Sequence, residues 1–131
     1  MLRPSFRYVL IYFLLKYFAF YTFLMFKNND FYFVKPGIRN ADDLFWYFWM
    51  LLILPLIAIA FFSLPLYYSF RQKKLLLFIF IIIAFLVSEY FLYTYMASES
   101  DLTNGFYNGI LSIIFLLLLF FKAIRRQFMI K

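Results

Sequence analysis

The chain has no cysteine and no histidine. The first absence excludes disulfides and thiolate metal centres. The second removes the Ser-His and metal-His arrangements that carry much of nucleophilic and metal-assisted catalysis. Glycine is scarce, with three residues, and none sits in a loop of the kind that cradles phosphates. Acidic residues number only six, and Glu89 alone stands inside a long apolar run, so no paired carboxylates lie within one span. Asp42-Asp43 is the one acidic pair, and adjacent residues on a helix do not face one another as metal ligands must. No catalytic, cofactor-binding or metal site is therefore expected. The chain is read as no enzyme by itself, although it could serve as a non-catalytic subunit of one.

What is present is apolar surface. Hydrophobic side chains make up 67% of the 131 residues, with 22 Phe, 12 Tyr and 2 Trp, a charged share of 15% and a mean hydropathy of +0.87. An ordinary soluble domain carries roughly 45–50% apolar residues, and a chain this short cannot bury such an excess in water. Disorder is excluded by the same numbers, because it requires low hydrophobicity and high charge. The net charge of +7 does not point to nucleic acid, since the basic residues fall between the apolar runs and form no single solvated face. The expected partner is the lipid bilayer.

Four apolar runs, at about 8–26, 44–70, 75–97 and 106–121, match the roughly 20 residues a helix needs to span a bilayer. They are continuous and lack the polar alternation of barrel strands. The expectation is a single all-α integral membrane domain over residues 1–131, a bundle of four transmembrane helices. The link Arg71-Gln72-Lys73-Lys74 is short enough to force the second and third spans to be antiparallel neighbours. Lys and Arg counting sets the orientation. The N-terminus, the 71–74 link and the C-terminal tail hold nine basic residues and no acid. The two opposite loops hold three basic residues against five acids. Both termini are thus expected in the cytoplasm, with the chain in the cell inner membrane, or in the mitochondrial inner membrane if the source is an organelle genome. Arg3 and Arg7 followed by the first run read as an uncleaved signal anchor, with no small-x-small cleavage site after it.

Several local features carry expectations of their own. Asn40, Asp42 and Asp43 cap the start of the second span, with Trp46 and Trp49 at its interface. Pro55 and Pro65 each remove a backbone hydrogen bond and should bend that span, with Ser63 placed to help re-satisfy freed groups. Phe31-Tyr32-Phe33-Val34 is too short to cross and too apolar to float free, which makes it a candidate outward contact surface. Gly105 and Gly109, together with Ala84 and Ser88, have small-x-x-x-small spacing and are candidate helix-packing positions. Gly105 also looks like part of a turn after Thr103-Asn104.

Lys16 and Glu89 are the only formal charges within the four runs. Intramembrane charges are candidates for function by default. Counted from the same side of the bilayer, they lie about 7 Å apart in height, comparable to the reach of a Lys side chain. They are a candidate buried ion pair, with a proton or ion relay as the sharper alternative. For the whole chain three readings stand. The first is a non-catalytic accessory or assembly subunit of a larger inner-membrane complex. The second is a small oligomeric transport or channel component using Glu89 and Lys16. The third is an immunity-type protein binding another protein's membrane helices, since size and hydropathy are loosely similar to membrane-embedded bacteriocin immunity proteins. A larger membrane protein or a homo-oligomer is the expected protein partner.

Overall fold

The computed structural model describes residues 4–29, 40–97 and 101–129. All regular structure among them is helical: α1 (Phe6–Asn28), α2 (Ala41–Phe48), α3 (Leu54–Ser69), α4 (Leu75–Met96) and α5 (Asn104–Met129). A five-residue π-helical turn, Trp49–Ile53, joins α2 to α3, so that Ala41–Ser69 is one rod of 29 residues. Counting that rod once, four helices are long and apolar enough to cross a membrane. Helix is what such runs must adopt in hydrocarbon, where each backbone N–H and C=O has to find its partner within the segment.

Contacts at the two ends fix the path of the chain. At one end the Phe6 ring meets Tyr67 edge-on at 5.5 Å, Phe70 packs on Phe78 and Phe120, and Gln127 donates to the Phe70 carbonyl at 3.1 Å. At the other end Lys27 meets Asp101, and the Trp49 indole donates to the Met96 carbonyl at 2.8 Å. The spans therefore alternate in direction, and the beginning of α1 lies at the same end as the close of α5. Here they are called the basic end and the loop end. In cross-section α1 neighbours α3 and α5, α4 neighbours the same two, and α1 and α4 face each other across the diagonal.

Helix boundaries differ from the apolar runs for local reasons. α2 begins at Ala41 because Asn40 accepts the Asp43 N–H at 2.9 Å, and Asp42 and Asp43 occupy the positive first turn. α1 stops at Asn28 because Asn29 takes a left-handed conformation (φ 51°), which Asn tolerates better than most residues. Asn104 and Gly105 are helical, not part of a turn. The turn lies one step earlier, where Asp101 Oδ1 accepts the Thr103 N–H at 3.0 Å and its hydroxyl at 2.5 Å. α5 also runs on to Met129, past the expected end at 121, because Ala123 and Ile124 still pack on the core and Gln127 is buried.

The core falls into two clusters. Toward the basic end lie Val9, Tyr12, Phe13, Leu66, Phe70, Phe78, Phe85, Leu116 and Phe120. Toward the loop end lie Phe20, Leu54, Ala58, Tyr93 and Ala97. Aromatic edges meet faces throughout, as in Phe13–Phe85 (6.1 Å, 90°) and Phe20–Tyr93 (5.1 Å, 85°). Lys16 is one turn from Phe13 and one from Phe20 on the buried stripe of α1, so it enters the bundle where the clusters meet.

Candidate functional site

Three helices supply the polar centre of the bundle. α1 buries Val9, Tyr12, Phe13, Lys16 and Phe20 at three- and four-residue intervals, and α4 buries Phe85, Glu89 and Tyr93 in the same way. α5 buries Asn104, Asn108, Ser112, Leu116 and Phe120, an unbroken stripe of every fourth residue whose loop-end half is polar. Lys16 and Glu89 sit on the diagonal helices, and their side chains meet in an ion pair within the bundle. Neither is solvent-exposed: 0% for Lys16 and 1% for Glu89.

Ser112 closes the arrangement. Its hydroxyl accepts from Lys16 Nζ at 3.2 Å and donates to Glu89 Oε2 at 2.6 Å, while the Ser112 carbonyl accepts from the Tyr12 hydroxyl at 3.4 Å. The rings of Tyr12, Phe13 and Tyr93 stand 5.3–5.6 Å from the ammonium and offer it their negative faces. Every feature that makes a buried pair tolerable is present: direct contact, a hydrogen bond to each charged group, and aromatic surroundings. Such a pair contributes little net stability against an apolar replacement, whereas removing one member strands a charge.

Next to this centre, on the loop-end side, lie polar atoms without a protein partner. They are both amide atoms of Asn108, the Asn104 carbonyl oxygen and the Thr94 hydroxyl. Left bare, each would cost about 1–3 kcal/mol. At the loop end itself, Lys27 contacts Asp101 at 2.5 Å and Thr103 Oγ1 at 3.1 Å, with the Tyr107 ring 4.7 Å away. The hydrogen bond from Lys27, followed by those from Thr103, holds the Asp101 carboxyl down at about 2.

A second polar contact repairs the break at Pro55. Leu54 N–H donates five residues back, to Trp49, and Pro55 has no N–H to offer. The carbonyls of Met50 and Leu51 are thereby released from the helix ladder. Tyr17 of α1 sets its hydroxyl against both, at 2.8 and 3.0 Å. A π-turn of this kind, one residue wider than the α-helix, is a recurrent way to re-aim a helix.

The other positions singled out from the sequence are dispersed. Gly105 is buried, and a Cβ there would fall 2.5 Å from the Tyr90 carbonyl oxygen, so its smallness lets α4 and α5 touch. Gly109 faces open space. Ala84 and Ser88 lie on the exposed face of α4. Phe31, Tyr32, Phe33 and Val34 fall outside the described residues. Among the described residues, no three His, Cys, Asp or Glu side chains come together as a metal site would require. Ser112, Tyr12, Asn108 and Tyr17 were not anticipated. For two of them a signal existed, since Asn104, Asn108 and Ser112 recur every fourth residue in an otherwise apolar run. Comparisons with protein-family models, with curated proteins and with solved structures found no match.

Proposed function

We propose that this chain is a non-catalytic accessory or assembly subunit of a larger complex in the cell inner membrane, with both termini on the cytoplasmic side. The observation that carries this reading is where the polar chemistry lies. The two charges midway along the spans, Lys16 and Glu89, are engaged with each other and with Ser112, at the centre of the bundle. The outward faces carry large apolar side chains along the whole length, among them Phe18, Phe61, Phe80, Phe91, Leu118 and Phe121. A surface of that kind works by lateral contact with lipid and with other apolar helices. The internal ion pair then sets the order and depth of the four helices that present it. The nine-to-three basic asymmetry supports the orientation.

The test is deletion of the gene, followed by mild-detergent extraction and sizing of inner-membrane complexes. The accessory reading expects one complex to lose subunits or fail to accumulate, and expects the tagged chain to migrate with it in fixed stoichiometry. A chain that purifies only as a homo-oligomer and conducts ions in liposomes would replace this reading with the transport one. Stoichiometric capture of a pore-forming toxin would replace it with the immunity one.

A further inference from the structure

The stripe of α5 that carries Ser112 carries Asn108 one turn nearer the loop end and Asn104 one turn beyond that. Asn108 is 0% exposed, Asn104 3% and Thr94 of α4 5%. Thr94 closes on the same stripe, for its hydroxyl lies directly over the bare Cα of Gly105. Four polar atoms of these three side chains have no partner in the protein. A carboxamide offers two donors and an acceptor with two lone pairs, so this narrow seam holds considerable unused hydrogen-bonding capacity. Nearly all buried polar groups are paired, with protein or with ordered water, and within hydrocarbon no bulk solvent substitutes. Ordered water is the partner such groups ordinarily take, because a buried water needs two to four polar neighbours and this seam supplies them.

Next to the ion pair the α5 stripe is polar in one direction only, with Asn108 and Asn104 on one side of Ser112 and Leu116 and Phe120 on the other. Toward the loop end the seam continues past Asn104 to Thr103, Asp101 and Lys27, which are partly or fully exposed. Toward the basic end the ion pair is sealed by Phe13, Phe85, Leu116 and Phe120, the Tyr12 hydroxyl beside it is engaged by Ser112, and the buried Ser69 and Gln127 lie beyond those side chains. We propose that Asn108, Thr94 and Asn104 line a water-holding site that joins the Lys16–Glu89–Ser112 centre to the loop end of the bundle and opens Glu89 to solvent protons from that end alone. The groups facing Glu89 are Lys16 and Tyr12 from α1, Tyr93 from its own helix and Ser112 from α5. α3 buries no titratable side chain. Proton uptake from the loop end would therefore be felt first by the ion pair and, through it, by the packing of α1 against α4 and α5.

Because the chain has no cysteine, a single introduced thiol is its only one. Asn108→Cys, Thr94→Cys and, as control, Ile110→Cys would be made in the full chain and reconstituted into vesicles. Ile110 lies two residues from Asn108, at nearly the same depth, but on the outward face. A small charged methanethiosulfonate reacts with thiolate, which forms only in contact with water. Modification at 108 and 94 should therefore be at least about tenfold faster than at 110. It should proceed when reagent reaches the loop end and not when it is confined to the basic end. Thr94→Cys is nearly isosteric and keeps the comparison available if Asn108→Cys does not fold. Rates at 108 or 94 as low as at 110 would show a dry seam and overturn the proposal, as would modification from the basic end.

Discussion

Stranding a charge is the costliest error available to a residue in this protein, and it makes Lys16 and Glu89 the most informative positions. With the pair intact, Ser112 and three rings complete its environment. Lys16→Met should leave Glu89 and Ser112 facing an apolar side chain, and Glu89→Gln should leave an ammonium without its counter-charge. Each single change is expected to cost about 3–5 kcal/mol, and the double change to recover most of it, because a neutral pair needs no partner. Folded yield and unfolding in mild detergent measure this. Additive losses would mean that the two side chains do not depend on each other. Asp101 offers a milder test at the loop end. Its carboxyl is held at about 2 against an ordinary 3.8, chiefly by Lys27. Its contribution is thus complete above 3.8 and is lost as pH falls toward about 2. Across that window wild-type Tm should fall by more than that of Asp101→Asn, and high salt should narrow the gap because the pair is exposed.

Among the elements, the rod Ala41–Ser69 shows how a broken helix is made tolerable. Pro55 and the π-turn before it release two carbonyls, and a hydroxyl from α1 answers them. Tyr17→Phe should cost about 1 kcal/mol of stability, typical of a hydrogen bond between membrane helices. In a Pro55→Ala background the returned N–H competes for the same carbonyls, so the cost of Tyr17→Phe should shrink. Equal costs in both backgrounds would show that the hydroxyl serves some other purpose. The contact of α4 with α5 is set by Gly105. A methyl there meets the backbone of Tyr90, which cannot yield. Gly105→Ala should therefore lose about 1–3 kcal/mol from overpacking. Gly109→Ala, facing open space, should be neutral or gain up to about 1 kcal/mol from helix propensity. Reversal of that order would move the α4–α5 contact elsewhere.

For the whole molecule, the alternating spans bring Gln72 to one end and Leu102 to the other. In the proposed orientation, basic end in the cytoplasm, an impermeant thiol reagent applied to intact cells should label Leu102→Cys and leave Gln72→Cys untouched until the membrane is opened. Labelling of position 72 alone would invert the bundle without altering its internal contacts. It would also place the water-holding seam on the cytoplasmic side, which makes this experiment the one that says from which compartment Glu89 is reached.

Helix number and approximate bounds were legible in the sequence because each depends on a single local quantity. Apolar runs of bilayer length become helices wherever they are, and Asn40 with its acidic neighbours caps whatever follows it. The antiparallel link at 71–74 follows from its shortness. That Lys16 and Glu89 could reach each other followed from rise per residue alone. The tertiary structure decided what depends on rotation about the helix axes, which hydropathy encodes weakly where most faces are apolar and only the α5 stripe is marked by its polar residues. It turned Ser112 toward the pair, Ala84 and Ser88 away from the bundle, Tyr17 toward Pro55, and the Asn104–Asn108 stripe inward. In a lipid-facing bundle the hydrophobic effect does not choose a helix's inner face. Polar groups seeking partners and small residues allowing contact make that choice, and they act only once the helices are side by side.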